Sequence, residues 1–488
     1  MRAVEERAFA EGATPETLMN EAGEQIARAI TQFFPEPGVA IVFFGKGHNG
    51  GDALVAARHL GEARWQVHLV AAFSSDKWTD LTRKKFGEAG LCYPHFPTKL
   101  TSGKPIIVLD GLLGIGASGE LREPILHFTR TINSLRNAVN AHVFALDLPT
   151  GLDGDTGHLD RDAVVADTTL TVGFGKTGLV ADAATDNVGR IAVLPVKALS
   201  AAAEARPTAD HLGTPIELAP LLPRRRFDSH KGNYGRIGII AGSRGFVGAA
   251  AMTSAACVHA GGGLVVLYAT ADTHSALTAI APPEVMVRQV DSYLEVLVQK
   301  HDVLAVGPGV GLSRSKEISQ VMAASSLPMI IDADGLNILS QNRAALGHFA
   351  GPRLLTPHPG EMARLEPDAE KRDRNATVAA FTEAHPVTLL LKGARTIIGE
   401  VGRPLSFNTT GNPGMATGGM GDVLTGVCAA LAGQGLPLYD VARLGAWLCG
   451  RAGELALSHG PESEESLSAT VLIRYLGLAF RDLRARSF

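Results

Sequence analysis

Four cysteines in 488 residues, at positions 92, 257, 428 and 449, are too few and too scattered to staple a fold. They form no CxxC pair and no metal-ligand spacing, so they read as reduced thiols of a cytoplasmic protein rather than disulfides or zinc ligands. A surplus of charge of either sign is also missing. With 45 Lys and Arg against 49 Asp and Glu the net charge is −4, which gives no whole-chain attraction to nucleic acid or to an anionic membrane, and neither is expected as a partner. The one basic run, Arg224, Arg225 and Arg226, reads as the solvated end of a linker. Residues 245–271 carry no Asp, Glu, Lys or Arg, but Gly261, Gly262 and Gly263 divide them into an Ala-rich helical pattern and a short strand, LVVLY. No membrane span is therefore expected there. The start, MRAVEERAFAEG, is charged from its second residue and lacks the apolar core of a secretory signal, so no export is expected.

What the chain does have is 45% apolar residues over a length that exceeds one hydrophobic core, so two domains are expected. Strand-like runs alternate with helical stretches: VAIVFF (39–44), QVHLVA (66–71), PIIVLD (105–110), HVFALD (142–147), TTLTVGF (168–174) and RIAVLP (190–195). Thr14-Pro15-Glu16 reads as a helix start with Thr14 as cap. Composition shifts near 198–222, and from Arg236 the alternation restarts with RIGIIAG, LVVLY, DVLAVGPG, PMIIDADG, RLLTPHPG and VTLLLKG, closing in helices near 423–433, 438–458 and 467–480. The spacing predicts two tandem α/β domains with parallel sheets covered on both faces, 1–205 and 223–488, joined by a linker over 206–222.

The most informative segment is GNPGMATGGMGDVLTG, residues 411–426. Glycines let successive N–H groups and a helix N-terminus converge on an anion, usually phosphate. An extra carboxylate gains nothing as a phosphate ligand there, so Asp422 reads as a proton acceptor for a substrate hydroxyl in phosphoryl transfer; the plainer alternative is a helix cap. Residues 230–243 put a Gly-rich turn before a predicted strand and another after it, the loops at 307–311, 332–337, 356–361 and 392–396 each follow a predicted strand, and all could face one crevice with the Asp422 loop. Lys392 is a natural phosphate partner there, while His358 could equally be a capped loop histidine.

Four strand-end loops of the first domain also meet at one edge. They are GKGHNGGD (45–52), DGLLGIG (110–116), DLPTG (147–151) and GFGKTG (173–178), the last placing Lys176 as a cation near the same mouth. An amide, a carboxylate and a hydroxyl or carbonyl gathered there make a hard oxygen cage suited to an alkali or alkaline-earth ion.

On these motifs, and on the opening LMNEAG helix, residues 1–200 resemble the NAD(P)H-hydrate epimerase family, whose domain is Rossmann-like and three-layered. The resemblance implies K⁺ ligands at Asn49, Asp110 and Thr150. It implies dinucleotide contacts at His48, Asn49, Gly50, Gly51 and Asp52, at Gly114, Ile115, Gly116, Ala117, Ser118, Gly119 and Glu120, and at Asp147, which geometry makes the best acid/base candidate. His48, Ala53, Gly111 and Thr150 depart from the family's Asn, Gly, Ala and Ser. Residues 223–488 resemble the ADP- or ATP-dependent NAD(P)H-hydrate dehydratases, a branch of the ribokinase-like fold. That likeness implies hydrated-dinucleotide contacts at Ala249, Gly309, His358 and Asp422. It implies nucleotide contacts at Lys392, Gly393, Ala394, Arg395, Thr396 and Gly421, with Mg²⁺ at the phosphates. Met420 stands where the family more often has a small hydroxyl residue.

Taken together, the resemblances imply one repair enzyme acting on NADHX and NADPHX, epimerising in the first domain and dehydrating in the second with ADP as donor, working as a homo-oligomer. A vitamin-type small-molecule kinase, a dehydratase with an inactive first domain, and a ligand-sensing scaffold without turnover are the alternatives.

Overall fold

VAIVFF can occupy the centre of a sheet because both of its faces find apolar partners. Ala40, Val42 and Phe44 pack with Ile26, Leu54 and Leu60 on one side, while Ile41 and Phe43 pack with Ile132 and Val143 on the other. In the computed structural model, which describes residues 2–90, 92–93, 95–97, 103–117, 119–202 and 210–487, this run is β1, Val39–Phe44. The chain divides into two compact units, Met1–Arg206 and Pro207–Ser487.

The first unit holds a six-stranded sheet. It is completed by β2 (Gln66–Ala71), β3 (Ile106–Gly111), β4 (His142–Leu146), β5 (Thr168–Val172) and β6 (Arg190–Leu194), in the order β2-β1-β3-β4-β5-β6, all parallel. Each strand lies within two residues of the run that predicted it. Because the chain leaves β1 for one neighbour and later returns to its other side, the order reverses between β1 and β3, and a crevice opens beyond their carboxyl ends. The helix Pro15–Phe33 begins as its sequence implies: Thr14 accepts from Thr17 N–H, the Thr17 hydroxyl accepts from Thr14 N–H in return, and Pro15 occupies the first turn.

The second unit contains a ten-stranded sheet in the order β10-β9-β8-β11-β12-β13-β14-β15-β16-β7. Its strands are β7 (His211–Gly213), β8 (Arg236–Ile240), β9 (Leu264–Ala269), β10 (Met286–Gln289), β11 (Val303–Val306), β12 (Met329–Ile331), β13 (Arg353–Leu355), β14 (Thr388–Leu391), β15 (Ile397–Gly399) and β16 (Ser406–Asn408). All pairings are parallel except those of β15, which runs against β14 and β16. Again the order reverses, here between β8 and β11. Helices Val247–His259, Met420–Gly433, Leu438–His459 and Ala469–Ala485 share the principal core. Gly426 permits the close crossing of the first two, since a Cβ there would lie 2.1 Å from the Thr253 carbonyl oxygen.

The described part of the expected linker, residues 210–222, is built into this second unit. β7 adds to the sheet edge beside β16, Pro215–Leu218 forms a helical turn capped by Thr214, and Leu218 and Leu222 enter the core. Proline and alanine in this stretch mark a tight turn over apolar side chains, not a free connection. Among the described residues no helix is long and apolar enough to cross a membrane.

Candidate active sites

In the first unit, the loops after β1 and β3 and the strand end at Asp147 enclose a cavity of about 550 Å³. His48, Asn49, Gly50 and Asp52 reach it from the helix His48–Glu62, and Gly114, Ile115, Gly116 and Ala117 from the β3 loop. Gly51 turns away and packs on Met19, where a Cβ would meet the methionine Cε at 2.3 Å. Gly119 and Glu120 are exposed and do not line the cavity; Ser118 lies outside the described residues. Met19 of the LMNEAG helix completes the walls with residues that motif reading left out: Glu5 and Phe9 from the first helix, and Val196 and Leu199 after β6. Nothing in the loops points to them, because they are joined to the site only by the fold.

Behind the cavity, Asp110 is fully buried and faces neutral donors. Thr150 donates to it through its N–H and its hydroxyl, both at 2.7 Å, and Leu112 N–H at 3.3 Å. Burial pushes the Asp110 carboxyl up to about 6, against the pull of those hydrogen bonds. Asn49 joins the cluster by donating to the Leu113 carbonyl at 2.8 Å, while Leu113 N–H donates to the Thr150 hydroxyl at 3.2 Å. The three residues expected to share an ion are therefore held together by one short loop. Asp147 closes the other end of the cavity, ion-paired with Lys176. Asp52 is held well above the usual carboxylate range by burial, by Asp147 and by Glu5, with Lys176 opposing.

The second unit builds its site on the N-terminus of Met420–Gly433. Gly419, at φ 89°, turns the chain into the helix, so Asp422 stands in its first turn. Met420 is part-buried against the core. Lys392, after β14, donates to the Asp332 carboxylate at 2.8 Å and lies 3.8 Å from Glu361. Burial works against the lysine's charge, but Asp332 and Glu361 outweigh it and raise its pKa. Asp332, itself 1% exposed, also accepts from the Thr425 hydroxyl at 3.0 Å. Gly421 fits between the pair: a Cβ there would lie 3.2 Å from both Asp332 Oδ2 and Lys392 Nζ. Burial and then Asp332 push the Asp422 carboxyl up to about 6, against Lys392.

His358 joins this group through Glu361. Its ring accepts from Gly360 and Glu361 N–H at 3.0 and 3.3 Å, the His358 backbone N–H donates to Glu361 Oε2 at 2.8 Å, and the outer edge of the ring remains exposed. It is thus both a helix cap and a site wall. Ala249 and Gly309 adjoin each other across the β8–β11 reversal, 3.0 Å from the alanine Cβ to a Cβ built on the glycine. The Ala249 helix, Val247–His259, reaches the Asp422 loop through Met252, whose sulfur lies 2.7 Å from a Cβ built on Gly419. Gly393 and Ala394 are exposed, Thr396 donates to the Gly393 carbonyl at 3.1 Å, and Arg395 is buried beside Arg374. Asp332 and Glu361 belong to loops that the sequence singles out, yet neither stands out there as a site residue.

Comparison with known proteins follows the same division. Residues 237–474 match the family model for NAD(P)H-hydrate dehydratase, and residues 15–178 match that for the YjeF-related protein N-terminus. The bifunctional NAD(P)H-hydrate repair enzyme of Coxiella burnetii is 34% identical, over 98% of this chain and 97% of that protein. The chain belongs to the bifunctional NAD(P)H-hydrate repair enzymes. The repair enzyme of Escherichia coli is 33% identical, over 91% of this chain and 86% of its own. A ribokinase-like superfamily protein of Enterococcus faecalis is 26% identical with a TM-score of 0.51, covering 58% of this chain and 99% of that one. The bifunctional repair enzymes thus combine, in this chain, a six-stranded parallel unit, with its acidic cavity at the reversal of strand order, and a ribokinase-like unit, with its carboxylates beyond the ends of β12 and β13.

Proposed function

We propose that the first unit interconverts the two epimers of NADHX and NADPHX and that the second dehydrates one of them to NAD(P)H at the expense of ADP, giving AMP and phosphate. The observation that carries the second assignment is Asp422 in the first turn of a glycine-led helix, beside Lys392 and Asp332. Asp422 takes the proton of the ring hydroxyl as its oxygen attacks the terminal phosphoryl group. Glycine N–H groups and Lys392 stabilise the charge that moves onto that group. The phosphate ester then leaves as phosphate, pushed by the ring nitrogen's electron pair, and loss of a proton from the adjacent carbon restores the double bond. Three carboxylates, Asp332, Glu361 and Asp422, around one lysine leave an excess of negative charge, which fits a divalent cation. Among the described residues no three His, Cys, Asp or Glu side chains form a closed cage, so Asp332 and Glu361 would hold Mg²⁺ together with water and phosphate oxygens. Bound there, Mg²⁺ supplies charge neutralisation to the phosphates.

In the first unit, the Asp147 carboxylate accepts the proton of the hydroxyl on the carbon next to the ring nitrogen. The bond from that carbon to the nitrogen opens to an aldehyde, with a proton from Asp52, whose burial favours the protonated form, passing to the nitrogen, and closure on the opposite face reverses both transfers. Two carboxyl groups in one cavity with unlike environments support this division of base and acid. The buried Asp110, the Asn49 amide oxygen and the Thr150 hydroxyl fit K⁺, which would supply the counter-charge that the neutral donors around Asp110 lack.

Exchanging each acid separately tests the assignment. Asp422→Asn is expected to lower dehydration by about 10² to 10⁴-fold with epimerisation intact, and Asp147→Asn to do the reverse, as measured on separated epimers. Equal loss of both activities in each folded variant would overturn it. Accumulation of a stable phosphorylated product in place of free phosphate would favour a small-molecule kinase.

A further inference from the structure

Lys176 does not line the cavity that Asp147 lines. The turn Gly173–Phe174–Gly175, opened by Gly173 at φ 72°, folds the chain back so that the lysine lies over the end of its own strand, β5, with its side chain 7% exposed. All three protons of its ammonium group have acceptors: the Thr171 hydroxyl at 2.9 Å, the Val172 carbonyl at 3.1 Å, and the Asp147 carboxylate. None remains for a ligand. The Asp147 carboxylate, in turn, is gripped on one oxygen. Among the described residues every hydrogen bond it accepts ends on Oδ1, from Lys176, from Val172 N–H at 3.2 Å and from the Thr171 hydroxyl at 3.4 Å. Its backbone is held too, in the left-handed region at φ 67°, with its N–H on the Leu170 carbonyl. A non-glycine residue persists there only when its surroundings over-determine it. Asp147 nevertheless lines the cavity.

We propose that Lys176 is the positioning residue of the epimerase site: it fixes Asp147 through Oδ1, so that Oδ2 is the oxygen presented to the substrate hydroxyl. The proposal rests on the assignment of epimerisation to the first unit. Lys176 touches no reacting atom, so its contribution passes wholly through Asp147, and a carboxylate free to rotate or shift by an ångström loses on the order of 10² in rate.

The test is a double-mutant cycle on epimerisation of separated NADHX epimers, using the full chain with K⁺ present. Lys176→Met is expected to lower kcat about 10²-fold while KM stays within about twofold, and Lys176→Arg to recover part of the loss. Added to Asp147→Asn, Lys176→Met should cost nothing more, because the group it positions is already gone. Lys176→Gln keeps a donor to Asp147 and serves as the folded alternative if the methionine variant is unstable; dehydration by the same sample and its melting temperature report the fold. Losses that multiply in the double variant, a loss confined to KM, or a kcat within twofold of wild type in both Lys176→Met and Lys176→Gln would overturn the proposal. If Asp147→Asn itself epimerises normally, the assignment of the site falls, and the proposal with it.

Discussion

Asp422 has to be ionised to accept a proton, yet burial and Asp332 push its carboxyl up to about 6. As a base it is lost when the pH falls through that value, so kcat/KM for dehydration is expected to decline below about pH 6. Asp332→Asn removes a charge that raises this carboxyl and frees Lys392 from its 2.8 Å partner, and both changes favour the ionised form. The acid limb should therefore move to lower pH in Asp332→Asn, even as the rate at pH 7.5 drops. A profile of kcat/KM against pH for the two proteins checks this, and an unmoved limb would separate Asp422 from the titration. Asp422 could be singled out from one segment because its glycines and its carboxylate are adjacent in sequence. Its coupling to Asp332 and Lys392 was not, since those residues lie 90 and 30 positions away and meet only through the strand order.

At the scale of elements, the long apolar strands could be read directly, because a strand buried on both faces has no polar alternation to obscure it. β7, β15 and β16, with three residues each, and β10, with four, escaped, whereas the equally short β12 and β13 were read because a glycine-bearing loop follows each apolar run. β7 matters most, for it turns an expected linker into part of a domain. The Pro215–Leu218 turn carries Leu218, which is fully buried in the core shared by Met420–Gly433 and its neighbours. Leu218→Ala should cost about 2–5 kcal/mol, read from denaturant unfolding of the second unit. Loss under about 0.5 kcal/mol would mean that the segment packs only loosely. The helix carrying Asp422 was expected from residue 423 and starts at Met420, because Gly419 can adopt the left-handed turn that opens it. The difference moves Asp422 from the loop into the first helical turn.

Over the whole molecule, composition and charge exclude much and specify little; the two sheets and their two reversals of strand order explain why motifs scattered over 400 residues resolve into two sites. Each unit carries its own acid at its own strand ends, and a substrate that exists as two epimers gives both a purpose within one chain. The direct measurement is recovery of NADH from mixed NADHX epimers by the purified protein with Mg²⁺ and K⁺, followed with ADP, with ATP and with neither. Complete recovery that depends on nucleotide, with phosphate released and ADP the better donor, is the predicted result. Recovery that stops at the fraction supplied as one epimer, or none with either nucleotide, would contradict the account.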